Sequence, residues 1–115
     1  MPPRDWAFRV QDILEAIAKI QRYVSGADFE TFENDEEIMD AVIHNLTVIG
    51  EAANHIPAEI ITRHPGIPWR QMIDLRNFSV HAYWTLRPAV IWDTIQNDLP
   101  PLVEPLRNLL HEPEK

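Results

Sequence analysis

Cysteine is absent from this chain, which excludes disulfides and thiolate chemistry and removes any pointer to an oxidising compartment. Glycine is scarce, at three residues, and no run of alternating apolar and polar residues marks a strand. No apolar stretch approaches the ~20 residues that a membrane-spanning helix needs. Behind Met1-Pro2-Pro3-Arg4-Asp5 there is no apolar signal core, so the expectation is a soluble cytoplasmic protein that enters no membrane. No serine–histidine–aspartate pattern and no phosphate-binding loop occurs. Positive charge is also short. Ten Lys and Arg stand against 18 Asp and Glu, and a net charge of −8 argues at first sight against nucleic acid as a partner.

The distribution of charge changes that reading. Residues 28–40 hold Asp28, Glu30, Glu33, Asp35, Glu36, Glu37 and Asp40 with no base, the mark of a solvated loop and helix start. Residues 60–90 hold Arg63, Arg70, Arg76 and Arg87 against Asp74 alone, a local charge of +3, with His64 and His81 besides. An acidic protein can therefore still present a basic cleft.

What the chain does have is helical periodicity. Trp6, Val10, Ile13, Leu14, Ile17 and Ile20 form one apolar stripe, with Asp5 as a cap and Ser25-Gly26 as a stop. A second helix is predicted to begin near Asn34, with Glu37 completing a capping box. Its stripe is Ile38, Val42, Leu46, Ile49, Ala53 and Ile56, and Pro57 ends it. Pro57 to His64 suits a short helix, and His64-Pro65-Gly66-Ile67-Pro68 a turn. Pro68 then opens a helix with Trp69, Met72, Ile73, Leu75 and Phe78. After a connection at Thr85-Leu86-Arg87-Pro88, a last helix carries Ile91, Trp92, Ile95 and Leu99. Pro100-Pro101 should kink or split it before Leu102, Leu106, Leu109 and Leu110. The expectation is a single all-α domain over residues 1–115, a four- to five-helix up-down bundle. Four tryptophans in so small a domain suggest core packing for most and a partner surface for some.

The chemistry concentrates in Arg76-Asn77-Phe78-Ser79-Val80-His81-Ala82-Tyr83. A guanidinium can clamp a phosphate with two parallel N–H bonds and stays charged throughout. An imidazole can take or give a proton near neutral pH. A phenol can donate a hydrogen bond or accept a modification. Together they suit phosphodiester cleavage without a metal. On an ideal helix, five residues span about 500°, so Arg76 and His81 would stand roughly 140° apart. Fraying near Ser79, a meeting across a dimer axis, or a structural role for Arg76 would each reconcile the two.

These residues resemble the R-x4-H-x-Y signature of the HepT-like toxins, a branch of the HEPN superfamily. Asn45-Leu46 with Val48-Ile49-Gly50-Glu51-Ala52-Ala53, Ile67-Pro68-Trp69-Arg70, and Trp92 with Asn97-Asp98-Leu99-Pro100 resemble the flanking helices of that family in order. The resemblance implies an all-helical homodimer whose two motifs face one another, acting as a metal-independent RNA endonuclease with no cofactor. It implies a toxin of a type II/VII-like pair, neutralised by a minimal nucleotidyltransferase antitoxin in a homodimer or larger hetero-oligomer. In some pairs that antitoxin adds AMP to the motif tyrosine, here Tyr83. Arg76 and His81 are the catalytic residues on this reading, and Asn77, Arg70, Arg87 and Glu51 are supporting or RNA-binding. The chain departs from the family where Ala82 replaces a frequent glycine, and where Thr85 and Arg87 stand in place of a glycine and an acid.

Blander roles compete at each position. Arg76 suits a surface ion pair with Asp74 or a neighbouring helix. His81 suits a cap or core histidine, and Tyr83 an aromatic anchor. Arg63, His64, Arg70 and Arg87 suit solvated surface. Glu51 and His55, with His44 two turns earlier, have spacing compatible with a metal, but only one loose pair exists, and Glu51 better suits a cap or a pair within the bundle, in the region of the arginine cleft. The competing function is a non-catalytic helical adaptor that binds a nucleotide or the nucleotidyltransferase.

Overall fold

A computed structural model describes residues 5–77 and 88–111. The described residues are helical with no strand. Helix α1 (Asp5–Val24) and helix α3 (Glu36–Ala53) are the two long elements and pack on one another. Of the predicted α1 stripe, Val10, Ile13, Ile17 and Ile20 are buried and Trp6 and Leu14 are half-buried, with Ala16 buried beside them. Gly26 stops the helix, at φ +79°, a left-handed conformation that a side chain would strain.

The acidic run builds more than a solvated loop. Asp28 accepts a hydrogen bond from the Thr31 N–H at 2.9 Å and starts a short helix α2 (Phe29–Asn34). Asn34 is therefore the end of α2, not the start of α3, and its side-chain amide donates to the Glu30 carbonyl inside α2. Asp35 caps α3 instead, accepting from the Ile38 N–H at 3.0 Å. That displaces the predicted Asn34–Glu37 box by one residue. The shift arises because a carboxylate after Asn34 is free to meet the N–H three residues on.

Helix α3 ends at Ala53, earlier than Pro57 requires. Pro57 serves the next element, α4 (Ala58–Arg63), where its carbonyl accepts from the Ile60 and Ile61 N–H groups. The turn at 64–68 is tied to helix α5 (Trp69–Asp74) by the buried Trp69, whose indole N–H donates to the His64 carbonyl at 3.0 Å. The helix does not run on to Phe78 as an α-helix: over Leu75–Asn77 it tightens to a 3-10 turn. Helix α6 spans Pro88–Asp93, from the first described residue after position 77. Its continuation is interrupted twice before helix α7 (Val103–Leu110). A π turn occupies Thr94–Asp98, with the Leu99 N–H bonded to the Thr94 carbonyl at 3.1 Å. A 3-10 turn follows at Pro100–Leu102. The split at Pro100-Pro101 follows from two missing N–H donors, whereas the π turn has no sequence signal.

One core joins these elements. Phe32 of α2 is fully buried and meets Trp92 of α6 at 5.1 Å between ring centroids, while Phe29 approaches the same indole edge-on at 6.1 Å. Such pairs add about 0.5–1.5 kcal/mol each beyond area burial. They anchor α6 to α2. Trp69 is buried, and Trp6 and Trp92 are half-buried against the core, so packing accounts for these three. Trp84 lies outside the described residues. No helix among the described residues is long and apolar enough to cross a membrane.

Candidate functional site

Arg76 sits in the 3-10 turn that follows α5, where a cation also complements the negative end of the helix dipole. Its backbone is pressed against α3. At Gly50, which is buried, a Cβ would come within 2.8 Å of the Arg76 Cβ and 2.9 Å of its Cα, and closer still to the Arg76 amide nitrogen. Carbon atoms pack without repulsion at about 3.5–4.0 Å. Only hydrogen at position 50 permits this approach. Glycine inside a helix costs roughly 0.5–1 kcal/mol relative to alanine, so its presence in α3 is itself a signal of close packing.

The next residue of α3 completes the arrangement. Glu51 places Oε1 3.9 Å from Arg76 Nη1, with both side chains about half exposed. The competing role for Arg76, an ion pair, is thus real, with Glu51 of α3 as one partner. At this distance and exposure it contributes about 0–1 kcal/mol. A phosphate offering two charge-assisted bonds to the same guanidinium is the stronger partner. Glu51 therefore restrains the arginine without occupying it irrevocably.

The 3-10 geometry bears on the expected separation of Arg76 and His81. Over Leu75–Asn77 the ideal α-helical 100° per residue does not apply, because a 3-10 turn advances about 120° per residue. His81, Tyr83 and Arg87, with Phe78, Ser79, Ala82 and Thr85, lie outside the described residues. Of the supporting residues, Asn77 is exposed at the end of the 3-10 turn beside Arg76. Arg70 is exposed on the first turn of α5. Arg63 is exposed at the end of α4, and His64 contributes its carbonyl to Trp69. The candidate metal group does not assemble: His55 Nδ1 lies 2.8 Å from the Glu51 carbonyl, and among the described residues no three His, Asp or Glu side chains gather around one point.

Sequence reasoning took Gly50 only as part of a motif; its helix-interior position was the available clue. It missed a second feature outright. Between α5 and the segment from the π turn to α7 lies a groove of about 430 Å3, floored by apolar side chains and including Leu75, the residue before Arg76.

Comparison with known proteins agrees with this arrangement. The family model described as "Ribonuclease HepT-like" matches residues 13–109. The chain is 40% identical over 93 residues to a Thermococcus cleftensis protein named "Probable ribonuclease HepT", covering 81% of this chain and 84% of that one. It is 32% identical over 114 residues to a Methanocaldococcus jannaschii protein named a "Putative RNase", covering 99% and 94%. A second protein of that organism, with the same style of name, is 30% identical over 115 residues, covering 100% and 99%. No solved structure matches the chain. The motif, the all-helical bundle and a family match over most of its length together mean that this chain belongs to the HepT-like ribonuclease family.

Proposed function

We propose that this protein is a metal-independent RNA endonuclease, the toxin of a toxin–antitoxin pair, active as a homodimer and silenced by a minimal nucleotidyltransferase antitoxin. The observation that carries the reading is the placement of Arg76: seated by Gly50, restrained by Glu51, and half exposed in a member of a ribonuclease family. In the reaction, the ribose 2′-hydroxyl attacks the adjacent phosphorus and the 5′-oxygen of the next nucleotide leaves. His81 of one subunit takes the hydroxyl proton, and His81 of the other returns one to the leaving oxygen. Arg76 holds the equatorial oxygens as negative charge builds on the phosphorane. The products are a 2′,3′-cyclic phosphate and a 5′-hydroxyl. AMP attached to Tyr83 by the antitoxin would block the cleft by bulk and charge.

The test is cleavage of a single-stranded RNA in the presence of EDTA, beside the same strand made with deoxyribose. RNA should be cut to cyclic-phosphate ends, the deoxy strand should survive, and His81→Ala should abolish cutting and relieve growth arrest on expression. Cleavage of both strands at comparable rates, or loss of activity with EDTA, would refute the mechanism. Absence of arrest and of cleavage would favour the adaptor role.

A further inference from the structure

The groove beside the Arg76 turn has a composition unlike a phosphate site. Met72, Leu99 and Leu102 are buried and form its floor, offering apolar faces and no cation. Its exposed rim carries Asp98, from the π turn, and Gln71, from α5. A carboxylate is an acceptor only and repels phosphate, so the ligand it suits must present N–H donors. The volume falls in the range of clefts that enclose small molecules, about 300–1,000 Å3. A flat body with apolar faces and a donor edge fits these conditions, which is the description of an unpaired nucleobase. Among the four RNA bases, guanine alone presents two adjacent donors, its N1–H and its exocyclic amine, matching the two oxygens of a carboxylate.

Leu75 ties the groove to the chemistry. It lines the groove, and Arg76 follows it in the 3-10 turn, where successive side chains diverge by about 120°. Leu75 and Arg76 are consecutive in the chain, and that adjacency is what sets the groove beside the proposed phosphate site. We infer that this groove is a base-recognition subsite that takes an unpaired guanine next to the scissile linkage, with Asp98 reading its donor edge. The inference rests on the RNA-cleaving reading above and supplies what that reading lacks, a source of base preference.

The test does not depend on cleavage. Met72 is one of three methionines, so its methyl group, labelled with carbon-13, is a resolved reporter inside the groove. Titration with guanosine 5′-monophosphate should move the Met72 signal saturably, uridine 5′-monophosphate should bind about tenfold more weakly, and inorganic phosphate should leave the signal in place. Asp98→Asn should lower guanosine monophosphate affinity by about tenfold, the lower part of the range for a good two-bond base contact. A Met72 signal that ignores the guanine nucleotide, responds equally to both nucleotides, or is unchanged in its response by Asp98→Asn would overturn the proposal. So would a Met72 shift that tracks protein concentration without nucleotide, which would give the groove to a second copy. If Met72 responds as expected but no RNA is ever cut, the nuclease reading fails and the guanine site stands.

Discussion

Replacing Gly50 with alanine tests the central geometric claim, that α3 seats Arg76 through backbone contact. Two effects oppose one another. Alanine in a helix interior should stabilise by roughly 0.5–1 kcal/mol relative to glycine. Against that, the new methyl would stand 2.8 Å from the Arg76 Cβ and 2.9 Å from its Cα. Restoring ordinary carbon–carbon contact requires the two segments to part by about 0.6–1 Å. Neither neighbour can yield by rotating a side chain, because the crowded atoms belong to the Arg76 backbone and its first side-chain carbon. Overpacking of this kind costs about 1–3 kcal/mol. The steric effect wins, and Gly50→Ala should be net destabilised by about 1–2 kcal/mol, read as a fall in Tm of roughly 4–8 °C per kcal/mol for a domain near this size. Activity should fall further than stability explains. A displacement near 1 Å at a catalytic group can cost about 100-fold, so RNA cleavage measured well below the lowered Tm should drop by a factor of that order. A variant that melts higher than wild type, as helix propensity alone dictates, and cuts RNA at the wild-type rate would refute the seating of Arg76.

Two further outcomes follow from named contacts. Glu51→Gln removes the carboxylate facing Arg76; since the pair is half exposed, unfolding free energy should change by less than about 1 kcal/mol, while the KM for RNA shifts because the guanidinium loses its restraint. An unfolding loss several times larger, with kinetics intact, would make the pair structural. The carboxyl of Asp28 is held below its usual range, chiefly by the backbone hydrogen bond from Thr31. A depressed carboxyl pKa means that this contribution is present above the ordinary aspartate range and is lost as pH falls through the lowered value. Amide exchange at Thr31 should therefore rise on acidification, and Asp28→Asn should flatten that rise; an identical acid profile in both proteins would contradict the cap.

Much of this architecture is legible residue by residue. The α1 stripe from Val10 to Ile20, the stop at Gly26 and the break at Pro100-Pro101 all follow from interactions within a few residues of the chain. Such interactions are printed in spacing and in backbone chemistry. The R-x4-H-x-Y motif pointed to the family, which the family match over residues 13–109 shows. The start of α3 was misplaced by one residue because Asn34 and Asp35 are both competent caps, and the competition was settled by Asn34 engaging the Glu30 carbonyl of α2.

Sequence alone thus determined that the chain is helical, where its long helices lie, and which family it resembles. Tertiary structure alone decided that Gly50 touches the backbone of Arg76, that Glu51 Oε1 stands 3.9 Å from the Arg76 guanidinium, and that Asp98 and Gln71 share a rim over Met72. Local periodicity sets which face of a helix is apolar, but not which residue of a distant helix meets it. That pairing depends on how whole surfaces interlock, and a single missing methyl group can decide it.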